Sequence, residues 1–253
     1  MAVSHKGAIS FGLVHIPVSL YTATQDNSIS FNQLHKENGQ RIKYKKVVPG
    51  FDDDVTSDEI VKGYEYEKEK YIIFTEDDFE KIKTEKDKSI QILHFADINE
   101  IDSIYFEKSY FAVPDAGGDK AFELLRKAML DENKVAVAKS VFGTKDNLLA
   151  ILPTHDGIVI ETLYYHDEIK PIPKTYNKQE ANPAELNMAK MLINSMIKPF
   201  EPTLYHDEYQ IKLKKAIEEK IDGKEIVIPQ PENKVTVIDL MEALKASLEQ
   251  VTK

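Results

Sequence analysis

The sequence predicts an α+β protein, in which a long β-rich region is followed by a helical one. Three observations lead to this class. Segments rich in β-branched and aromatic residues recur over about the first 165 residues. One amphipathic segment, DKAFELLRKAMLDEN, interrupts them after Gly117-Gly118 and has a helical period. From about residue 182 onward the apolar residues again follow a helical period.

The strands predicted before the interruption are separated by turn-forming residues such as Pro49-Gly50. They cover 8–21, 28–35, 41–45, two pieces within 63–74, 89–98 and 103–114. Thr75, with Asp78 three residues later, predicts the N-cap of a short acidic helix that extends to about residue 82.

The amphipathic segment is expected to bury one apolar face, formed by Ala121, Phe122, Leu124, Leu125, Ala128 and Met129. Three further strands are predicted after it, at 134–143, 147–155 and 157–165. Asp156-Gly157 is a strong hairpin signal and predicts a tight turn between the last two of these strands.

The region after residue 168 begins with a proline-containing linker. Asn182 followed by Pro183 predicts the start of a helix that runs to about Lys198, with an inward face of Leu186, Ala189, Met191, Leu192 and Met196. Two more helices are predicted at 203–222, ending at Gly223, and at 236–250. We therefore expect a domain over 1–170, a linker over 171–184 and a helical arm over 185–253.

The chain is acidic overall, with 33 Lys and Arg residues against 43 Asp and Glu residues, but its charge is segregated along the sequence. Residues 1–50 contain 6 basic and 2 acidic side chains, whereas residues 51–100 contain 7 basic and 16 acidic ones. A negative net charge disfavours binding to nucleic acid. A protein polarised in this way can nevertheless hold an anionic polymer on one surface and repel it elsewhere.

Composition also restricts the cellular compartment and the chemistry. The chain has no cysteine, which excludes disulfides and thiolate metal sites. No apolar run approaches the ~20 residues that a membrane-spanning helix needs, and the first residues lack the apolar stretch of a signal peptide. We therefore expect a cytoplasmic protein with no membrane partner.

A short cationic segment is the strongest candidate for a functional site. Arg41, Lys43, Lys45 and Lys46, called the basic strip below, fall within the six residues RIKYKK. On the predicted strand the first three share one face at a spacing of about 7 Å, and no carboxylate lies among them. Duplex DNA carries a charge about every 1.7 Å of its axis, so such a row can engage several phosphates. The alternative is an ordinary solvated face.

Catalytic and cofactor motifs are missing from the sequence. There is no phosphate-binding glycine loop, no nucleophile elbow and no pair of histidines at helical metal-binding spacing. The acidic run Asp52–Asp54 lacks the spacing of an EF-hand loop. The sequence therefore predicts neither an enzyme nor a bound metal or cofactor.

Six segments carry a resemblance to a known family. They are KGAISFGLVHIPVSLY (6–21), LHKENGQRIKYKKV (34–47), EIVKGYEYEKEKYIIFTEDD (59–78), EIDSIYFEKSYFAVP (100–114), KAFELLRKAM (120–129) and ILPTHDGIVIETLYYHDEI (151–169). Together and in this order they resemble the bacterial Ku family, the homodimeric DNA-end-binding proteins of non-homologous end joining. The similarity runs over about residues 6–170 and is weaker through the helical arm.

The resemblance implies a Ku-type β-barrel core with a DNA-encircling arm inserted at about 35–70 and a C-terminal helical arm. It implies a ring-shaped homodimer that threads onto ends of double-stranded DNA without reading sequence, associates with the nucleoid there and recruits an ATP-dependent DNA ligase. On this basis the basic strip lines the DNA channel, and the acidic residues that follow it lie outside. The alternative is a Ku-fold scaffold for protein interactions with weak or lost DNA binding, which the acidic composition favours.

Further residues are candidates on the same basis. Basic residues of the family-like segments could contact phosphates: Lys6, Lys36, Lys62, Arg126, Lys127, Lys139 and Lys145. The predicted helix 236–250 has an apolar stripe that could pack on its own domain or dock onto the ligase through Leu240, Leu244 and Leu248.

The sequence departs from the family pattern in three places. Val48 and Phe51 stand where many members carry a C-x-x-C pair, and His5 stands where a Trp commonly precedes Lys-Gly. Many members also end in a Lys-rich tail, which is not seen before Lys253. We expect the Pro49-Gly50 turn to stiffen the loop in place of the C-x-x-C pair.

Overall fold

The structure is a computed structural model that describes residues 2–50, 54–82, 89–142, 145–173 and 180–224. Its main feature is a closed β-barrel with the strand order β1-β2-β6-β9-β8-β7-β5. The seven strands are β1 His5–Phe11, β2 Val14–Thr22, β5 Ser89–Ala96, β6 Phe106–Pro114, β7 Val135–Phe142, β8 Lys145–Pro153 and β9 Ile158–Leu163. A separate two-stranded sheet consists of β3 Lys62–Glu67 and β4 Lys70–Phe74. The predicted α+β class and β-barrel core are confirmed.

The barrel closes because every strand finds a partner on both sides, which removes the exposed edges that an open sheet would have. All neighbouring strands run antiparallel except β1 and β5, whose short parallel ladder completes the ring. Alternate residues point inward: Ile9 pairs with Ile16 and Ile151 with Ile160, and all four are buried. The other large, fully buried side chains are Val18, Leu20, Ile90, Leu149 and Ile158.

Helix α2, Asp119–Asp131, packs against β2 and β8. Its buried residues, Phe122, Leu125 and Met129, belong to the same core cluster as the barrel strands. This stripe is narrower than the sequence indicated, since Leu124 is 71% exposed and Ala128 is exposed as well. Those two assignments to the core were wrong because the helix contacts the barrel along a single row of residues spaced three and four apart.

The β3–β4 hairpin and the helix that follows it agree with the sequence prediction. Helix α1 spans Glu76–Ile82, and a reciprocal pair of hydrogen bonds caps its start. The Thr75 amide donates to Asp78 Oδ2 at 2.9 Å, and the Asp78 amide donates to Thr75 Oγ1 at 3.3 Å. Apolar side chains of the hairpin are exposed: Tyr64, Tyr66, Tyr71, Ile72 and Ile73.

A second compact unit consists of residues 28–31 together with the described residues from Ile172 onward. Its helices are α3 Pro183–Met196 and α4 Glu208–Ile221. The Asn182 side chain accepts a hydrogen bond from the Ala184 amide, as an N-cap does. Within this unit the Ile29 amide donates to Gln210 Oε1 at 3.2 Å.

The predicted inward face of α3 was wrong, because no residue of α3 or α4 is buried. Leu186, Met191 and Met196 are exposed, and Ala189 and Leu192 are half-buried. Apolar residues at helical spacing indicate a face that needs a partner, but the described part of the chain does not supply enough contacts to bury it.

Other differences concern where elements begin and end. The predicted strand 8–21 is two strands joined at Gly12, whose φ of 58° lies in the left-handed region that glycine tolerates. No strand forms over 28–35. The helix predicted from residue 203 begins at Glu208, after a 3₁₀ turn at Pro202–Leu204. The predicted helix 236–250, with Leu240, Leu244 and Leu248, lies outside the described residues.

Candidate nucleic-acid interface

The basic strip connects two small turns in the segment between β2 and β3. In the first turn, Leu34 and Arg41 form an isolated β-bridge. The His35 amide donates to the Gln40 carbonyl at 2.8 Å, and the Ile42 amide donates to the Gln33 carbonyl at 2.9 Å. These bonds fold the chain back on itself and place Arg41 at the start of an exposed stretch.

The second turn follows the strip directly. Val47 and Asp54 form an isolated β-bridge, and the Val55 amide donates to the Lys46 carbonyl at 3.0 Å. Gly50 has a φ of 88°, which a glycine after proline accommodates without strain. The two turns therefore hold the strip at both ends.

The predicted strand 41–45 is not a strand in the structure, because the Ile42 amide bonds to the first turn and no strand of the described residues pairs with this segment. The residues of the strip remain accessible all the same. Arg41, Lys43 and Lys46 are exposed, and none of the three lies within 4.0 Å of a carboxylate of the described residues. Tyr44, between two of the lysines, is 82% exposed, and its hydroxyl donates to Gln33 Oε1.

Lys45 differs from the rest of the strip because it already has an anionic partner. Its Nζ lies 2.6 Å from Asp54 Oδ2, and both side chains remain largely exposed. Asp54, one of the acidic residues expected to lie outside the DNA channel, is brought back beside Lys45 by the second turn. Asp52 and Asp53 lie outside the described residues.

Six of the seven weaker candidates separate into two groups. Three are paired with carboxylates at 3.4 to 3.6 Å: Lys62 with Glu76, Lys127 with Glu123 and Lys145 with Glu168. Lys6 and Lys139 are exposed on barrel strands, and Lys36 is exposed in the first turn beside the strip. Lys36 is therefore the weaker candidate that lies nearest the strip along the chain.

Arg126, the seventh, has its donors occupied by the protein. Nε and Nη2 donate to the two carboxylate oxygens of Glu123, each at 2.8 Å. Nη1 donates to the carbonyl oxygens of Thr154 and His155 at 2.7 and 2.9 Å. These bonds to Arg126 lower the pKa of Glu123 from 4.5 to about 2. The guanidinium thus ties α2 to the turn between β8 and β9, which favours a structural role over phosphate contact.

Comparison with known proteins decides the family. The model of the Ku70/Ku80 beta-barrel domain matches residues 10–188, well over half of the chain. The chain belongs to the Ku family.

Its relatives in that family are similar to it along nearly the whole of this chain. A protein of Lachnoclostridium phytofermentans named non-homologous end joining protein Ku is 57% identical over 99% of this chain and 98% of its own. The protein of the same name from Archaeoglobus fulgidus is 43% identical over 99% and 100%. That of Bacillus subtilis is 38% identical over 98% of this chain and 82% of its own.

The structure shows the surroundings of two residues that depart from the usual Ku pattern, His5 and Val48. His5, in the place of the common Trp, stacks on Phe142 with ring centroids 4.3 Å apart and makes an edge contact with Tyr110. Burial and the nearby Lys108 lower the pKa of His5, which favours its neutral form. The position therefore still carries a stacked ring. Val48, in the place of the first cysteine, leads into the Pro49-Gly50 turn.

Lys108, an exposed cation of this Ku barrel, is not among the candidates predicted from the sequence. It lies on β6, with its Nζ 5.3 Å from the centroid of the Tyr110 ring. The sequence could have indicated Lys108, because it lies in the family-like segment EIDSIYFEKSYFAVP and the other candidates were chosen as basic residues of such segments.

The described parts of the chain contain neither a cluster of metal-binding side chains nor a membrane-spanning helix. No group of three or more His, Asp or Glu side chains among them is arranged to hold a metal ion. None of their helices combines the length and the apolar composition needed to cross a bilayer.

Proposed function

We propose that this chain is a sequence-independent binding protein for ends of double-stranded DNA, acting as a ring-shaped homodimer in double-strand break repair by non-homologous end joining. The observation that carries the proposal is membership of the Ku family along nearly the whole chain, with relatives that bear the name of that pathway. The protein would act as a binding scaffold, and the chemistry of joining would belong to its partners.

The basic strip is the part proposed to contact DNA. Its cations lie on an exposed segment held at both ends by turns, which limits the ordering needed when phosphates bind. Lys and Arg contacts to phosphate oxygens fix a protein on a duplex without carrying sequence information. Such contacts therefore suit a protein that has to accept any broken end.

The exposed apolar surfaces support a second copy as partner. Tyr64, Tyr71 and Ile73 of the β3–β4 hairpin are each more than half exposed, and soluble monomers rarely leave apolar patches of that kind uncovered. A two-fold dimer would bury such a surface against its own copy. It would also place two basic strips around one duplex.

The proposed function is tested by competition between DNA forms. Labelled linear duplex bound to the protein at moderate salt is challenged with unlabelled linear DNA or with the same mass of covalently closed circular DNA. We expect only linear DNA to compete, because a preformed ring can load only over an end. Light scattering of the free protein should give the mass of a dimer.

Two results would count against the proposal. Equal competition by circles would mean side-on binding and would remove the ring. No binding to either form would favour the second candidate, a Ku-fold protein-interaction scaffold. The specific observation behind that candidate is that Lys45 and three of the weaker candidates are already neutralised by carboxylates.

We further propose that the C-terminal region recruits the ATP-dependent DNA ligase of the pathway, with Leu240, Leu244 and Leu248 as anchors. Replacing all three by Ser should abolish ligase capture in a pull-down while DNA-end binding stays unchanged. The control variant carries Ser at three polar positions of the same stretch, Asp239, Glu242 and Lys245, and should capture the ligase normally. Undiminished ligase capture by the leucine variant would contradict the assignment.

A further inference from the structure

The carboxylate of Asp54 occupies the place beside Lys45 where a DNA phosphate would bind. The distance between Lys45 Nζ and Asp54 Oδ2 is 2.6 Å, which is typical of a short charge-assisted hydrogen bond. A phosphate oxygen that approaches Lys45 would need the same donor. Asp54 and a phosphate therefore compete for one ammonium group.

The backbone sets this contact in place. The bridge between Val47 and Asp54 and the hydrogen bond from the Val55 amide to the Lys46 carbonyl fix the two sides of the second turn against each other. Asp54 is consequently held beside Lys45 before any ligand arrives. A side chain placed in this way loses less conformational entropy on pairing than two freely moving side chains would.

We propose that Asp54 is an internal competitor within the basic strip, a residue that raises the threshold for DNA binding by occupying Lys45. This inference rests on the proposed function. DNA held through only one or two phosphates gains little binding free energy after it displaces the carboxylate. A duplex enclosed by the strips of both copies engages many phosphates at once. Only DNA that makes many other phosphate contacts therefore keeps enough affinity to remain bound once the carboxylates have been displaced.

The size of the effect follows from the exposure of the pair. The side chains of Lys45 and Asp54 are 72% and 55% exposed. An ion pair this exposed changes a binding constant by a factor of at most about five. Removing the carboxylate should therefore tighten DNA binding by up to about fivefold for one strip, and by up to about 25-fold if both strips of a dimer engage one duplex. The gain should shrink as salt screens the charges.

The test compares Asp54→Asn with the unchanged chain in binding to labelled linear duplex at low and at high salt. Asp77→Asn, on the exposed surface of α1, is the matched control because it changes the net charge equally. Lys45→Gln and Lys45→Gln/Asp54→Asn complete a double-mutant cycle. We expect Asp54→Asn to tighten binding, Asp77→Asn to have little effect, and Asp54→Asn to change little once Lys45 is absent.

Each outcome has a distinct meaning. If Lys45→Gln weakens binding but Asp54→Asn does not strengthen it, the competitor is overturned while the proposed function stands. An equal gain from Asp77→Asn would show that net charge alone is responsible and would also overturn the inference. If Lys45→Gln leaves binding unaltered, Lys45 is not part of the DNA contact and both the inference and this part of the proposed site fail.

Discussion

A chain that carries Lys43→Glu and Lys45→Glu is expected to bind linear duplex DNA at least about 100-fold more weakly, because two attractions to phosphate are replaced by two repulsions. A dimer would change four charges inside one ring. The slope of affinity against salt concentration should also become shallower, by about 0.9 for every phosphate that the variant no longer neutralises. Fluorescence anisotropy across a salt series measures both quantities.

The fold should survive this change, because the strip is exposed and contributes no side chain to the core. Dimer mass and melting temperature are therefore expected to stay the same. Lys212→Glu/Lys215→Glu, on exposed positions of α4, alters the net charge equally and controls for long-range repulsion. Unchanged affinity of the strip variant, or an equal loss in the α4 control, would remove the basic strip from the DNA site.

Arg126→Ala is expected to destabilise the protein, since it removes several charge-assisted hydrogen bonds at once and leaves two carbonyl groups without their donor. For a chain of this size we expect the melting temperature to fall by several degrees. The Arg126 side chain is only 12% exposed, so water replaces these bonds poorly. Thermal unfolding followed by circular dichroism provides the measurement.

The same variant should show a characteristic pH dependence. The pKa of Glu123 falls from 4.5 to about 2 on folding, so its pairing stabilises the folded state above pH 4.5 and loses that contribution as the pH falls toward 2. The difference in melting temperature between the two proteins should accordingly be largest near neutral pH and shrink over that interval.

Lys127→Ala is the matched control for the same carboxylate. Lys127 Nζ lies 3.6 Å from Glu123 Oε1, and its side chain is 66% exposed, so we expect almost no loss of stability. A destabilisation by Arg126→Ala that is no larger than this would contradict the structural role. If DNA affinity then fell at unchanged stability, Arg126 would return to the candidate phosphate contacts.

Local patterns in the sequence were sufficient for most of the barrel. Alternating residues and the Asp156-Gly157 turn predicted the last three strands, and the Thr75 cap predicted α1, because these signals depend on neighbouring residues. The hairpin at Gly12 was missed because β1 and β2 are apolar on both sides of an isolated glycine. A turn there becomes evident only when two strands are known to pair.

The candidate site was harder to predict because its contacts join residues that are apart in sequence. RIKYK alternates like a strand, but whether it pairs depends on a neighbour, and the chain provides two short turns instead. Nothing within the strip indicated that Asp54 would return to Lys45. Arg126 resembles a surface cation in the sequence, since its carbonyl partners Thr154 and His155 follow about 28 residues later.

The bond from the Ile29 amide to Gln210 has a consequence for how the chain can be divided. Residues 28–31 belong with the C-terminal helices although they precede the basic strip. A truncation after Pro171 would therefore delete the helices and also remove the contacts that residues 28–31 make with them. If such a fragment lost DNA binding, the cause would be ambiguous, because residues 28–31, which precede the strip, would have changed as well. Substitutions on α4, beginning with Gln210→Ala, separate the two causes more cleanly than a shortened chain does.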